Sequence, residues 1–176
     1  MISKKVTDRI NLQIEREMES AFLYLEMASR MVNEGYEGFA KWLTIQYHEE
    51  MFHSMKFARF LQDRGASFAV PAISKQEVKE TTIKALFERV LAHEKKVTAS
   101  INELYELALA EKDYPTQVLC QWYINEQVEE EKNAEEILRN LELLGDSKQG
   151  TFMLNIELGK RKASIPLDFT EIGGED

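Results

Sequence analysis

Glu17, Glu50, His53, Glu94 and Glu130 are the residues of this 176-residue chain whose types and positions point to chemistry. Glu50 and His53 stand three residues apart, so a helix presents both on one face within reach of a single cation. Carboxylate oxygens joined by one imidazole nitrogen make a hard, oxygen-rich donor set. Such a set suits divalent iron or manganese, whereas zinc usually takes more nitrogen or sulfur. Two divalent ions would set four positive charges against four carboxylates, with the imidazole as a neutral ligand. A Glu-x-x-His spacing carries little weight alone, because an acidic helix produces it by chance. Its position in the chain decides.

The positioning elements follow from apolar spacing of alternating four and three residues, the seam of a helix in a bundle. The first seam reads Ile10, Ile14, Glu17, Ala21, Tyr24, Ala28, Met31, and the second Phe39, Leu43, Gln46, Glu50, His53, Phe57, Phe60. The third runs from Ile83 and Phe87 through Val90, Glu94 and Val97 to Ala108. The fourth runs from Cys120 and Tyr123 through Gln127, Glu130 and Ala134 to Leu144. Each is interrupted by a carboxylate near its middle, so side-by-side packing brings Glu17, Glu50, Glu94 and Glu130 to one level. Buried together and unpaired, they would repel one another and each would cost several kcal/mol. No Lys or Arg falls in a seam near that level, which leaves metal cations to supply the compensating charge.

Breakers place the helices at about Ser3 to Val32, Gly38 to Asp63, Glu80 to Glu111 and Asp113 to Gly145, with a short amphipathic fifth from about Ser147 to Arg161. Asp113 ahead of Pro115 has the form of a cap and first-turn proline. The stretch from Ala66 to about Lys79 is long for a loop and long enough to cross a bundle end to end. Two short connections flanking one long crossover describe an all-α four-helix bundle, within a single domain over residues 1–176 and an irregular tail over 162–176. Three prolines, eight glycines and 44% apolar residues agree with that class.

Net charge −9 argues against nucleic acid, whose phosphates select basic surfaces, and favours cations. No apolar run approaches the ~20 residues of a membrane span, and the first ten residues lack a signal-peptide core, so a soluble cytoplasmic protein is expected. Cys120 is the only cysteine, which excludes an intramolecular disulfide or a thiolate metal cluster within one chain.

With these residues identified, the chain resembles the ferritin family, most closely its bacterial and archaeal non-haem members. The resemblance is carried by Glu17 with Tyr24, by Glu49-Glu50-Met51-Phe52-His53, by His93-Glu94, and by Gln121-Trp122-Tyr123 through Glu126-Gln127-Val128-Glu129-Glu130-Glu131. It implies one iron site at Glu17, Glu50 and His53, and a second at Glu50, Glu94 and Glu130, with Glu50 bridging. It implies further that Gln127 hydrogen-bonds oxygen species or water at the centre and that Tyr24 donates electrons to the irons. A third, transient iron would use Glu49, Glu126, Glu129 and Glu130. The implied activity is oxidation of Fe(II) by dioxygen or peroxide and storage of the ferric product in a shell of twenty-four subunits, with the fifth helix lining the four-fold contacts. The fourth helix has Gln127-x-x-Glu130 in place of a second Glu-x-x-His, unlike haem-containing bacterioferritins, and no haem is expected.

A blander class of function is a metal-free helical interaction module whose seam carboxylates set pairing specificity. Such a module binds no iron at Glu17, Glu50 and Glu94, and metal stoichiometry separates the two. His48 and His93 are read as structural or as orienting a ligand, Cys120 as a small hydrophobe, and Glu49, Glu126 and Glu129 as metal-leading or as a solvated acidic face.

Overall fold

The computed structural model describes residues 2–165, and among them all regular structure is helical: α1 (Lys4–Asn33), α2 (Glu37–Asp63), α3 (Ile83–Ala110), α4 (Tyr114–Leu144) and α5 (Lys148–Leu158). Capping side chains set most starts. Ser3 accepts from Val6 N, Asp113 from Thr116 N and Ser147 from Gly150 N. The third helix begins at Ile83 rather than near Glu80, because Thr82 caps it while the Glu80 carboxylate is drawn to Arg89 at 3.0 Å. Tyr36 N closes onto Met31 O over Gly35, whose φ of 82° only glycine adopts without strain, and this reverses the chain between α1 and α2.

α1 packs along α2 and α3 along α4, and the two hairpins meet through α1 and α3. Residues 64–82 make the crossover. It is pinned by Asn11, whose Oδ1 accepts from Ala69 N at 2.8 Å, and by Arg89, which donates to Glu77 O at 2.7 Å. The predicted seams are buried apart from their ends. Phe60, Ile83 and Leu144 are only partly covered, and Leu61 takes the core place expected of Phe60, since a straight helix drifts off a seven-residue repeat.

The core is not continuous. One apolar half gathers Tyr24, Met27, Phe39, Leu43, Phe87 and Ile137. The other gathers Ile10, Ile14, Phe57, Ile101, Leu104 and Tyr123. A polar belt of Glu17, Glu50, His53, Glu94, Gln127 and Glu130, none more than 6% exposed, lies between them.

α5 stops at Leu158, short of the expected Arg161, where Gly159 ends it and the chain turns. Only Leu154 and Asn155 of α5 are buried, while Phe152, Met153 and Ile156 face outward, leaving its apolar face uncovered within the subunit. Asn155 has a structural task. The cap residue of α2, Tyr36, makes no side-chain cap bond, and Asn155 Oδ1 accepts instead from Gly38 N at 2.8 Å and Phe39 N at 3.1 Å. The backbones touch there, for a Cβ on Gly38 would lie 1.6 Å from Asn155 O. No described helix is long and apolar enough to cross a membrane. Residues 162–165 form no helix or strand, and the remainder of the expected tail, 166–176, lies outside the described residues.

Candidate metal centre

α1 and α2 bring Glu17, Glu50 and His53 together, each offering a ligand atom within 4.8 Å of the others. His53 Nδ1 lies 3.9 Å from Glu50 Oε2, held by its i, i+3 spacing. His53 is braced on its far side, for Tyr123 donates its hydroxyl to His53 O at 2.7 Å and Trp122 meets the imidazole edge-on at 5.5 Å. Burial, with Lys56 nearby, pulls the imidazole down to about 3, so at neutral pH it is the free base that a metal requires.

α3 and α4 supply Glu94 and Glu130, which are near enough to repel the Glu50 carboxylate but do not belong to the three-residue cluster. Tyr24 donates to Glu94 Oε1, and Gln127 Nε2 donates to Glu94 Oε2 at 3.2 Å. Gln46 Nε2 donates to Glu130 Oε2 at 2.7 Å. Glu17 accepts from Gln13 Nε2 at 2.8 Å, and Gln13 is itself fixed by Ser100 and Arg9. What remains unbonded is telling. Glu17 Oε2, both Glu50 oxygens and His53 Nδ1 are buried without a hydrogen-bond partner. Buried polar atoms are nearly always satisfied, and these unpartnered atoms belong to three residues that can each turn a ligand atom to one cation. Ionised Glu17 and Glu50 have no proton to offer each other, and one proton held by either is shared by both.

Burial raises every carboxylate here. Glu50 is raised well above its ordinary range, with Glu94 and Glu17 adding repulsion. Glu94 is pushed to about 7 by burial against the opposing bonds from Tyr24 and Gln127, and Glu130 to about 8 by burial with Glu94 and Glu49. The metal-free folded chain therefore holds protons that the unfolded chain has lost above about pH 4.5. Stability from these groups must fall as pH rises from about 4.5 through 7 to 8. We expect the melting temperature of the metal-free protein to decline across that window, and the decline to flatten in Glu130→Gln and on adding a divalent metal.

Of the outer acids, Glu49 is buried, Glu126 half-buried and Glu129 exposed. Burial, with Glu129 and Glu49 nearby, raises the Glu126 carboxyl, so the three form one acidic neighbourhood beside Glu130. His93 bonds Ser20 Oγ at 2.7 Å and meets the Tyr24 ring edge-on, a supporting position behind the belt. The sequence pattern assigns no role to Gln13 and places Gln46 only as a seam member. A polar residue one turn from a seam carboxylate was the available signal for both. Cys120 is buried and its thiol is pushed up to about 12 by that burial, which suits an inert core position.

Fold and site together define a helical bundle with a candidate carboxylate–histidine metal site, Glu17, Glu50 and His53, in its interior. Residues 7–144 match the ferritin-like domain family. The chain is 36% identical over 159 residues to a probable bacterial non-heme ferritin-like protein of Haemophilus influenzae, covering 90% of this chain and 96% of that protein. It is 35% identical over 161 residues to the bacterial non-heme ferritin of Staphylococcus aureus, covering 92% and 97%. An open pore ferritin from the hyperthermophilic archaeon Archaeoglobus fulgidus superposes with a TM-score of 0.90 at 40% identity, over 92% of this chain and 100% of that one. The chain belongs to the ferritin family.

Proposed function

We propose that this protein stores iron as a cage-forming ferroxidase. Fe(II) is its substrate and the ferric product its cargo. One Fe(II) binds to Glu17, Glu50 and His53 and a second to Glu50, Glu94 and Glu130, with Glu50 bridging. The observation that carries this reading is the set of four unpartnered ligand atoms at the joint between the two apolar halves. A metal-free interaction module would leave these buried ligand atoms facing one another with no more than the proton shared by Glu17 and Glu50 between them.

The chain's own groups have distinct tasks. Tyr24 and Gln127 hold the two oxygens of Glu94, Gln46 holds Glu130, and Gln13 holds Glu17, so the donors are oriented before metal arrives. Metal entry displaces the protons on Glu94 and Glu130, and binding weakens as pH falls through 8 and 7. Each Fe(II) then gives one electron to dioxygen or peroxide. Tyr24, hydrogen-bonded to a ligand of the second site and kept protonated by burial, stands where it can supply a further electron. Ferric product moves outward past Glu49, Glu126, Glu129 and Glu130, a third and transient iron position. The outward Phe152, Met153 and Ile156 of α5 support assembly into a shell of twenty-four subunits, working in the cytoplasm without haem.

Aerobic titration of the purified protein with Fe(II), followed by absorbance and by gel filtration, tests the proposal. A fast oxidation phase complete at about two Fe(II) per subunit, in a particle many times the subunit mass, is expected. A monomer that oxidises iron no faster than buffer would refute it.

A further inference from the structure

The α5 side of the centre carries a cation that iron oxidation does not call upon. Beyond Gly159 the chain folds back, and the Arg161 guanidinium lies over the Trp42 ring at 4.8 Å from its centroid. There it donates to Gln46 Oε1 and pairs with Glu49 Oε2 at 2.6 Å. Ser164 donates to the other oxygen, Glu49 Oε1, at 2.9 Å. Both oxygens of a carboxylate only 4% exposed are thus held by one short segment, residues 161–164. The contact reaches further inward. Gln46, whose oxygen accepts from Arg161, passes its amide to Glu130 Oε2 at 2.7 Å, so the guanidinium also sets which way the Gln46 amide points.

A guanidinium keeps its charge at any working pH and engages the same carboxylate lone pairs that a metal would use. We propose that residues 161–164 form a strap in which Arg161 competes with metal for Glu49, so that an ion beyond the central pair binds on this side only when Arg161 is displaced. The inference rests on the reading of the polar belt as an iron site. Glu49 then has two states. Strapped, it is neutralised and the route past Glu130 is closed; released, it joins Glu126 and Glu129 as an acidic exit. Because binding and displacement are reciprocal, extra metal loosens the strap as much as the strap weakens extra metal. The side chain of Arg161 is 20% exposed, so it can leave Glu49 without unfolding a helix.

Two variants separate charge from packing. Arg161→Met keeps an unbranched side chain over Trp42 and removes the charge, while Arg161→Lys keeps the charge and loses the planar fork. Anaerobic calorimetric titration of the assembled protein with Fe(II) reads each class of site without any turnover. The site at Glu17, Glu50 and His53, with which Arg161 makes no contact, should bind alike in all three proteins. In Arg161→Met, binding beyond the central pair should tighten about tenfold, and Arg161→Lys should stay near the parent. Equal affinity beyond the pair in parent and Arg161→Met, or the same tightening in Arg161→Lys, would overturn the strap. Loss of the central pair from the parent itself would instead remove the underlying iron-site reading, and the strap with it.

Discussion

Glu50→Ala is expected to lower the rate of Fe(II) oxidation by about a hundredfold or more while the protein still folds and assembles. Removing a group that merely orients a metal ligand typically costs about 10–100-fold, and Glu50 is placed to touch both irons. Apart from the proton shared with Glu17 its two oxygens have no partner, so the change breaks at most that one bond. The folded chain also loses the carboxylate whose burial and whose neighbours Glu94 and Glu17 most oppose its ionisation. Removal of buried repulsion offsets much of the small cavity that alanine leaves. Stopped-flow oxidation measured beside thermal unfolding of the metal-free protein checks both halves. Parent-like kinetics in a folded Glu50→Ala protein would place the chemistry elsewhere.

Among the described glycines, Gly38→Ala should be the most damaging substitution. Its new Cβ would meet Asn155 O at 1.6 Å and the attached carbonyl carbon at 2.6 Å, both backbone atoms that no rotamer change can move. α5 must lift off α2, and the two bonds from Asn155 Oδ1 to Gly38 N and Phe39 N go with it. Overpacking together with loss of a cap amounts to about 3 kcal/mol. A lowered melting temperature with impaired shell assembly on gel filtration is the expected result. A variant as stable as the parent would mean that the α2–α5 contact yields freely.

The bundle was legible because its information is periodic. Glu17, Glu50, Glu94 and Glu130 stand out only against seams whose apolar members, such as Ile14, Leu43, Phe57, Val90 and Ile137, form the two core halves. The ends were less legible. Phe60 gave way to Leu61, and α3 began at Ile83, because helix drift and a capping threonine are local matters that a repeat does not encode. Partners that arrive from distant parts of the chain left no periodic trace. The absence of Lys and Arg from the seams holds for the four long helices, yet Arg161 reaches the level of Glu49 and Glu130 from beyond α5. Gln13 lies off the seam, so the repeat does not mark it, though it is wholly buried and bonded to Glu17.

Asn155 lies 117 residues downstream of the Gly38 amide it receives. A ribosome has therefore released all four long helices before the first turn of α2 acquires its acceptor. Until then the entry of the helix that bears Glu49, Glu50 and His53 is frayed, and a nascent chain that stops early never repairs it. Truncated products should in consequence be recognised and degraded by cellular proteases, while complete chains hide that cleavable turn as soon as α5 settles.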